Sequence, residues 1–349
     1  MTVAELVRPH LRSVKPYSSA RDEYTGAEGT FLDANENPYG SAAGDGWNRY
    51  PDPYQRPLKQ EIARIKQVEG SHIFLGNGSD EPIDLLIRAF CEPGQDHVLT
   101  FPPTYGMYQV AAGIQNVEVE QVLLTPDFQL DLEPALAALE CKPKITFLCS
   151  PNNPSGNLLR REDMQQILEQ SPGVVVVDEA YIDFPHEVSW NQVLGQYPNL
   201  VVLQTFSKAW GMASLRLGMA YASEEIVQLL NKIKPPYNIP GPIQEVALKA
   251  LQKNESQKKT WVSSLNRERD LLIPRLAELP IVQKVFPSDA NFLLVRFEAA
   301  KEIFRFLLEQ RVIVRDRSSQ PWCEGCLRLT VGTREENDRL IQALLSFRY

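Results

Sequence analysis

Four consecutive valines, Val174-Val175-Val176-Val177, show no alternation between apolar and polar positions and end in Asp178. A β-branched run with no polar face predicts a strand buried on both sides, and such strands belong to parallel sheets covered by helices. Comparable runs are Ile73-Phe74-Leu75, Val98-Leu99-Thr100-Phe101, Ile145-Thr146-Phe147-Leu148-Cys149 and Leu200-Val201-Val202-Leu203, with an alternating segment at 117–123. Helical spacing separates them from about residue 58 to 240, so the fold class is α/β, a mainly parallel sheet between helices. A chain of 349 residues suits two domains rather than one. Beyond the proline-rich Lys234-Pro235-Pro236 to Pro242 stretch come helical segments at 243–251 and 257–279. Candidate strands follow at 292–295, 312–314 and 327–331, with a helix at 301–309 and a capping box (Thr333, Glu336) opening the last helix. We divide the chain into 1–45, an arm with part of a small domain; 46–255, the large domain; and 256–349, a small α+β domain.

Ligands of open α/β sheets sit beyond the carboxyl ends of the strands. Tyr105, Asn153, Asp178 and Lys208 all follow strands at that end. The Lys208 amine can form a Schiff base with an aldehyde, while the hydroxyls of Thr205 and Ser207 and the Arg216 guanidinium suit a phosphate. Pyridoxal phosphate carries both groups. Its ring nitrogen needs a carboxylate to keep it protonated, and Asp178 offers one. An acidic residue often does no more than end a strand, but two strands ending in complementary chemistry weigh against that. Gly76-Asn77-Gly78-Ser79-Asp80-Glu81 feeds a helical pattern at Ile83, Leu86, Ile87 and Phe90, a turn that either binds phosphate through free N–H groups or only links strand to helix. Tyr105 reads equally as a stacking face or a core aromatic.

With Ser150-Pro151-Asn152-Asn153-Pro154-Ser155-Gly156, Asp33-Ala34-Asn35-Glu36-Asn37-Pro38, Arg49-Tyr50-Pro51, Pro102-Pro103-Thr104-Tyr105-Gly106-Met107-Tyr108, Asp178-Glu179-Ala180-Tyr181 and Leu327-Arg328-Leu329-Thr330-Val331-Gly332-Thr333, the chain resembles the fold-type I pyridoxal phosphate aminotransferases over nearly its whole length. The resemblance implies a seven-stranded large domain and pyridoxal 5′-phosphate as cofactor. It also implies a homodimer with active sites shared between subunits. Lys208, Asp178 and Tyr181 would be catalytic. Gly78, Ser79, Ser207 and Arg216, with Tyr50 of the neighbouring subunit, would hold the cofactor phosphate, and Asp80 and Thr205 would also bind the cofactor. Tyr105 would set the ring's plane, and Asn153 and Tyr181 would bond its phenolic oxygen. Tyr17, Asn35, Tyr50, Asn153, Arg315 and Arg328 would meet the substrate, Arg328 in the place where other members grip an α-carboxylate. The implied reaction is amino transfer between histidinol phosphate and 2-oxoglutarate, in histidine biosynthesis. Histidinol phosphate lacks that carboxylate and would present its phosphate there. Ser155, where threonine is commoner, and Trp210-Gly211-Met212 depart mildly from the pattern. An aromatic or branched-chain aminotransferase, a threonine-phosphate decarboxylase and a cofactor-sensing module remain alternatives.

A formal net charge of −8 argues against nucleic acid and requires that an anionic substrate be met by local arginines. Five scattered cysteines form no disulfide framework, and Cys323-x-x-Cys326 lacks the second pair a zinc site needs, so no metal is expected. Residues 1–19 lack the apolar segment of a signal peptide and no run is long enough to span a membrane, so the expected location is the cytoplasm.

Overall fold

The computed structural model describes residues 2–17, 29–44 and 46–348. Seven strands, β1 (Ile73–Asn77), β2 (His97–Thr100), β3 (Glu118–Gln121), β4 (Ile145–Cys149), β5 (Val174–Asp178), β6 (Leu200–Thr205) and β7 (Leu217–Ala222), form one sheet in the order β1-β7-β6-β5-β4-β2-β3. The pairings from β3 through β6 are parallel. Only β7 is reversed, antiparallel to both β1 and β6. That reversal brings the start of β7, where Arg216 lies, to the edge at which the other strands end.

The valine run is buried on both faces because the pleat sends alternate side chains to opposite sides. Val175 and Val177 join a core with Leu75, Leu148 and Val202 beneath the helices Arg56–Lys66 and Arg161–Gln170. Val174 and Val176 join the opposite one with Phe74, Phe147 and Leu203 under the helices Asp80–Phe90 and Glu224–Ile233. In the described part of the first section, Val3, Leu6 and Val7 also pack on this second face, against the large sheet rather than the small one. Residues 18–28 of that section lie outside the described residues.

A second sheet, β8 (Val282–Val285), β9 (Phe292–Phe297), β10 (Arg315–Asp316) and β11 (Cys326–Thr330), is antiparallel throughout, in the order β10-β11-β9-β8. Leu293, Val295, Leu327 and Leu329 pack beneath the helices Ala300–Glu309 and Arg334–Ser346. The last helix opens with the expected capping box, Thr333 N–H donating to Glu336 Oε2 at 2.8 Å and Glu336 N–H to Thr333 Oγ1 at 3.3 Å. Three expectations change. The apolar triplet 312–314 is not a strand; pairing starts at Arg315, one residue later. The short, half-polar β8 gives no sequence signal. The two helical segments form one helix, Gly241–Ala277, kinked at Asn254, one residue before the expected division at 255. Its first part buries Ala247 and Leu251 in the large core and its last part Leu272 and Leu276 in the small one. No described helix is long and apolar enough to cross a membrane.

Candidate active site

A cavity of about 570 Å³ opens where the carboxyl edge of the large sheet faces the small one. Asp178 ends β5 at its floor and is only 3% exposed. Its Oδ2 accepts from the Tyr108 hydroxyl at 2.7 Å and its Oδ1 from Ala180 N–H at 3.1 Å. Among the described residues it has no ion-pair partner, and burial pushes its carboxyl up to about 6, against the pull of those two donors.

Lys208 sits on the turn after β6, held by flanking aromatics. Phe206 and Trp210 are buried and pack edge to face at 5.8 Å, and of the three residues between them Lys208 is the exposed one. The lysine reaches the open cavity with Nζ 5.6 Å from the Tyr181 ring centroid. Desolvation by the walls, aided by Arg328, holds its ammonium below the ordinary lysine value, with Asp178 working the other way. Burial raises the Tyr181 hydroxyl so that it stays protonated at neutral pH, and its ring packs on Phe292 at 5.1 Å.

At one end of the cavity lies a cradle. Gly78 adopts φ +69°, its N–H donates to the Arg216 carbonyl at 2.7 Å, and no side chain caps the helix that begins at Asp80. A Cβ on Gly78 would stand 2.6 Å from Arg216 Nη2, and one on Gly218 2.3 Å from the Gly78 carbonyl carbon. Only a glycine at 218 lets β7 approach the Gly78–Ser79 backbone so closely, while Gly78 supplies the positive φ of the turn. Thr205 and Ser207 share a hydroxyl hydrogen bond of 3.0 Å on the third side. Uncapped N–H groups, two hydroxyls and a guanidinium suit a phosphate. The Asp80 carboxylate is drawn aside, accepting from the Tyr105 hydroxyl at 3.1 Å and lying 3.4 Å from Arg216.

Asn152 is locked by Nδ2 donation to the Pro103 carbonyl (2.9 Å) and to Ser155 Oγ (2.8 Å), which leaves Asn153 to face the cavity. Ser155 supplies the hydroxyl this turn requires, so the departure from threonine is conservative. Across the cavity, β11 alternates Leu327 and Leu329 into the small core, so Arg328 points the other way and its Nη1 donates to Asn153 Oδ1. Arg315 is its direct partner in the ladder and lines the same wall.

Eleven of the expected cofactor residues thus meet in one cavity: Gly78, Ser79, Asp80, Tyr105, Asn153, Asp178, Tyr181, Thr205, Ser207, Lys208 and Arg216. Of the expected substrate residues, Asn153, Arg315 and Arg328 are there too. Tyr17 (72% exposed), Asn35 and Tyr50 (51% exposed) do not line it; Tyr50 stacks on Tyr237 at 4.5 Å. Sequence reasoning missed Tyr108, legible only as the residue one turn beyond Tyr105. It missed Arg317 as well, which needs the β10–β11 register to be placed.

A phosphate cradle, a desolvated lysine and a buried carboxylate at the switch from parallel to antiparallel pairing define a pyridoxal-phosphate site. Residues 22–344 match the family model of aminotransferase class I and II. The chain belongs to that family, and its cofactor is pyridoxal 5′-phosphate. It is 56% identical over 342 residues to a histidinol-phosphate aminotransferase of Cytophaga hutchinsonii, covering 98% of each chain. To the enzyme of the same name from Bacteroides fragilis it is 52% identical over 347 residues, 99% of each. The fold superposes with a TM-score of 0.79 on histidinol-phosphate aminotransferase from Sinorhizobium meliloti in complex with pyridoxal-5′-phosphate, at 24% identity and covering 96% of this chain and 95% of that one.

Proposed function

We propose that the chain transfers an amino group between histidinol phosphate and 2-oxoglutarate, giving imidazole acetol phosphate and glutamate, in histidine biosynthesis. The observation that carries the reading is the half-identical, end-to-end match to relatives bearing that name. The arginine-lined wall facing Lys208 supports it, since it offers a phosphate two guanidiniums where an α-carboxylate needs one.

When bound, the cofactor supplies an aldehyde and an electron-withdrawing ring. Gly78, Ser79, Thr205, Ser207 and Arg216 would hold its phosphate, Asp80 giving its backbone N–H rather than its carboxylate. Asp178 would hold a proton on the ring nitrogen, a cation that offsets the burial of its own charge. Asn153 and Tyr181 would donate to the phenolic oxygen, and Tyr105 would cover the ring face. The depressed proton affinity of Lys208 keeps its amine available as the base that takes the proton from the carbon bearing the substrate's amino group. Arg328 and Arg315 would fix the substrate's anionic end.

The protein would work as a cytoplasmic homodimer, with Tyr50, Tyr17 and Asn35 reaching the partner's cavity. Their exposure and their absence from their own chain's cavity support this. The five unpaired cysteines suit a reducing compartment. One experiment tests both the lysine and the sharing. Lys208→Ala should lose at least about a thousandfold in turnover. Hybrids of Lys208→Ala with Tyr50→Phe subunits should regain one fully wild-type site, and activity no higher than the parents' average would overturn the sharing.

A further inference from the structure

Three arginines, not two, stand on the wall opposite Lys208. Arg317 N–H donates to the Cys326 carbonyl at 2.9 Å, so the β10–β11 ladder continues past its last named pair, Asp316 with Leu327. Residues two apart in an extended segment share a face. Arg315 and Arg317 are so placed, while Asp316 between them is used elsewhere, its carboxylate accepting from Ser318 N–H at 2.8 Å. Arg315, Arg317 and Arg328 all line the one cavity, and none forms an ion pair among the described residues.

We infer that Arg317 is a specificity-determining residue, the third guanidinium on the substrate's phosphate, selecting a phosphomonoester dianion over a carboxylate. The inference rests on the histidinol-phosphate reading above. Arg317's Nε is shut from solvent and finds no acceptor, and its side chain donates no hydrogen bond among the described residues, so no structural duty accounts for it. A buried donor with nothing to donate to is unfavourable until a ligand completes it. Burial, with Arg328 and Arg315 adding like charge, depresses Arg317's hold on its proton, and a bound dianion would relieve all three. One bidentate arginine meets both oxygens of a carboxylate, whereas a phosphate presents three outer oxygens and a second charge. A third guanidinium therefore favours the phosphorylated substrate.

The test takes Arg317→Gln and Arg317→Lys as cofactor-loaded enzymes, with inorganic phosphate as a competitor against glutamate. For Arg317→Gln we expect the KM for histidinol phosphate to rise about tenfold or more, with kcat and the KM for glutamate within about twofold of wild type, as loss of one charge-assisted bond requires. Inhibition by phosphate should weaken in parallel, the cofactor's absorbance should stay unchanged, and Arg317→Lys should recover part of the loss by charge without the planar fork. An unchanged KM for histidinol phosphate, or an equal rise for both substrates, overturns the inference. If wild-type enzyme does not use histidinol phosphate at all, the substrate reading falls instead. Phosphate competition against glutamate then decides Arg317 alone: equal inhibition of wild type and Arg317→Gln would overturn its role as an anion ligand.

Discussion

Tyr108 stands behind Asp178 and donates its phenolic hydrogen to the carboxylate's Oδ2 across 2.7 Å. Its ring is stacked on Phe147 at 4.5 Å with planes 9° apart and meets Tyr105 edge-on at 5.6 Å, which holds the hydroxyl against the carboxylate and beside the Cys149 thiol. The carboxylate proposed to serve the cofactor ring is therefore aimed by a residue that does not itself line the cavity.

Tyr108→Phe keeps the ring and deletes only that hydrogen bond. A hydrogen bond to a charged group is worth about 1.5–3 kcal/mol, so affinity for pyridoxal phosphate should fall by roughly one to two orders of magnitude. The KM for amino donors should barely move, because the substrate wall is untouched. Cofactor titration of the cofactor-free variant checks this. Unaltered affinity would mean that packing alone orients Asp178.

Asp178 also makes stability depend on pH. Its carboxyl is raised from 3.8 to about 6, so between about pH 4 and 6 the folded, cofactor-free protein binds more protons than the unfolded chain. Stability from this group is therefore greatest below pH 4 and is lost as pH rises through 6, by about 2–3 kcal/mol in all. Glu179, buried and pushed up to about 6, acts in the same direction, so the comparison must be with Asp178→Asn. Denaturant unfolding of both cofactor-free proteins at pH 4.5 and 7.5 should show wild type losing more stability than Asp178→Asn. A wild type that gains on the variant across that interval contradicts the assignment.

Arg328 and Arg315 separate by substrate. Arg328→Gln should raise the KM for histidinol phosphate by roughly tenfold to a hundredfold, the loss of one charge-assisted contact, and impair the glutamate half-reaction as well, since the same guanidinium must meet the α-carboxylate. Arg315→Gln, more exposed, should affect histidinol phosphate to a lesser degree. The cofactor's spectrum should be normal in both. Wild-type affinity for histidinol phosphate in both variants would place the phosphate elsewhere.

Much of this site is legible in the sequence because parallel strands announce themselves: both faces are buried, so the runs are apolar, and the first polar residue past each run stands at the ligand edge. Asp178 is found that way, and Lys208 by the run before it; Asn153, four positions past its run, is picked out only by the resemblance that Asn152-Asn153-Pro154 carries. Arg216 is harder, since its strand runs backwards and the residue precedes the run; only its nearness in sequence to Ser207 suggests a phosphate ligand. Val312-Ile313-Val314 misled because β-branched composition reports a fit to a half-buried surface, not pairing. Here Ile313 is 74% exposed and the ladder begins after it. That one-residue error hid Arg317, since register decides which side chains share a face. Tyr108 was invisible for another reason: its role depends on a helix turning its hydroxyl toward a strand seventy positions away.

The central claim is the choice of substrate, and the direct measurement is kcat/KM for amino transfer to 2-oxoglutarate from histidinol phosphate against phenylalanine, with carbon dioxide followed on threonine phosphate. The account predicts stoichiometric glutamate from histidinol phosphate, a preference over phenylalanine of at least about a hundredfold from the added phosphate contacts, and no carbon dioxide. Equal or better turnover of phenylalanine, or carbon dioxide released from threonine phosphate, would contradict it.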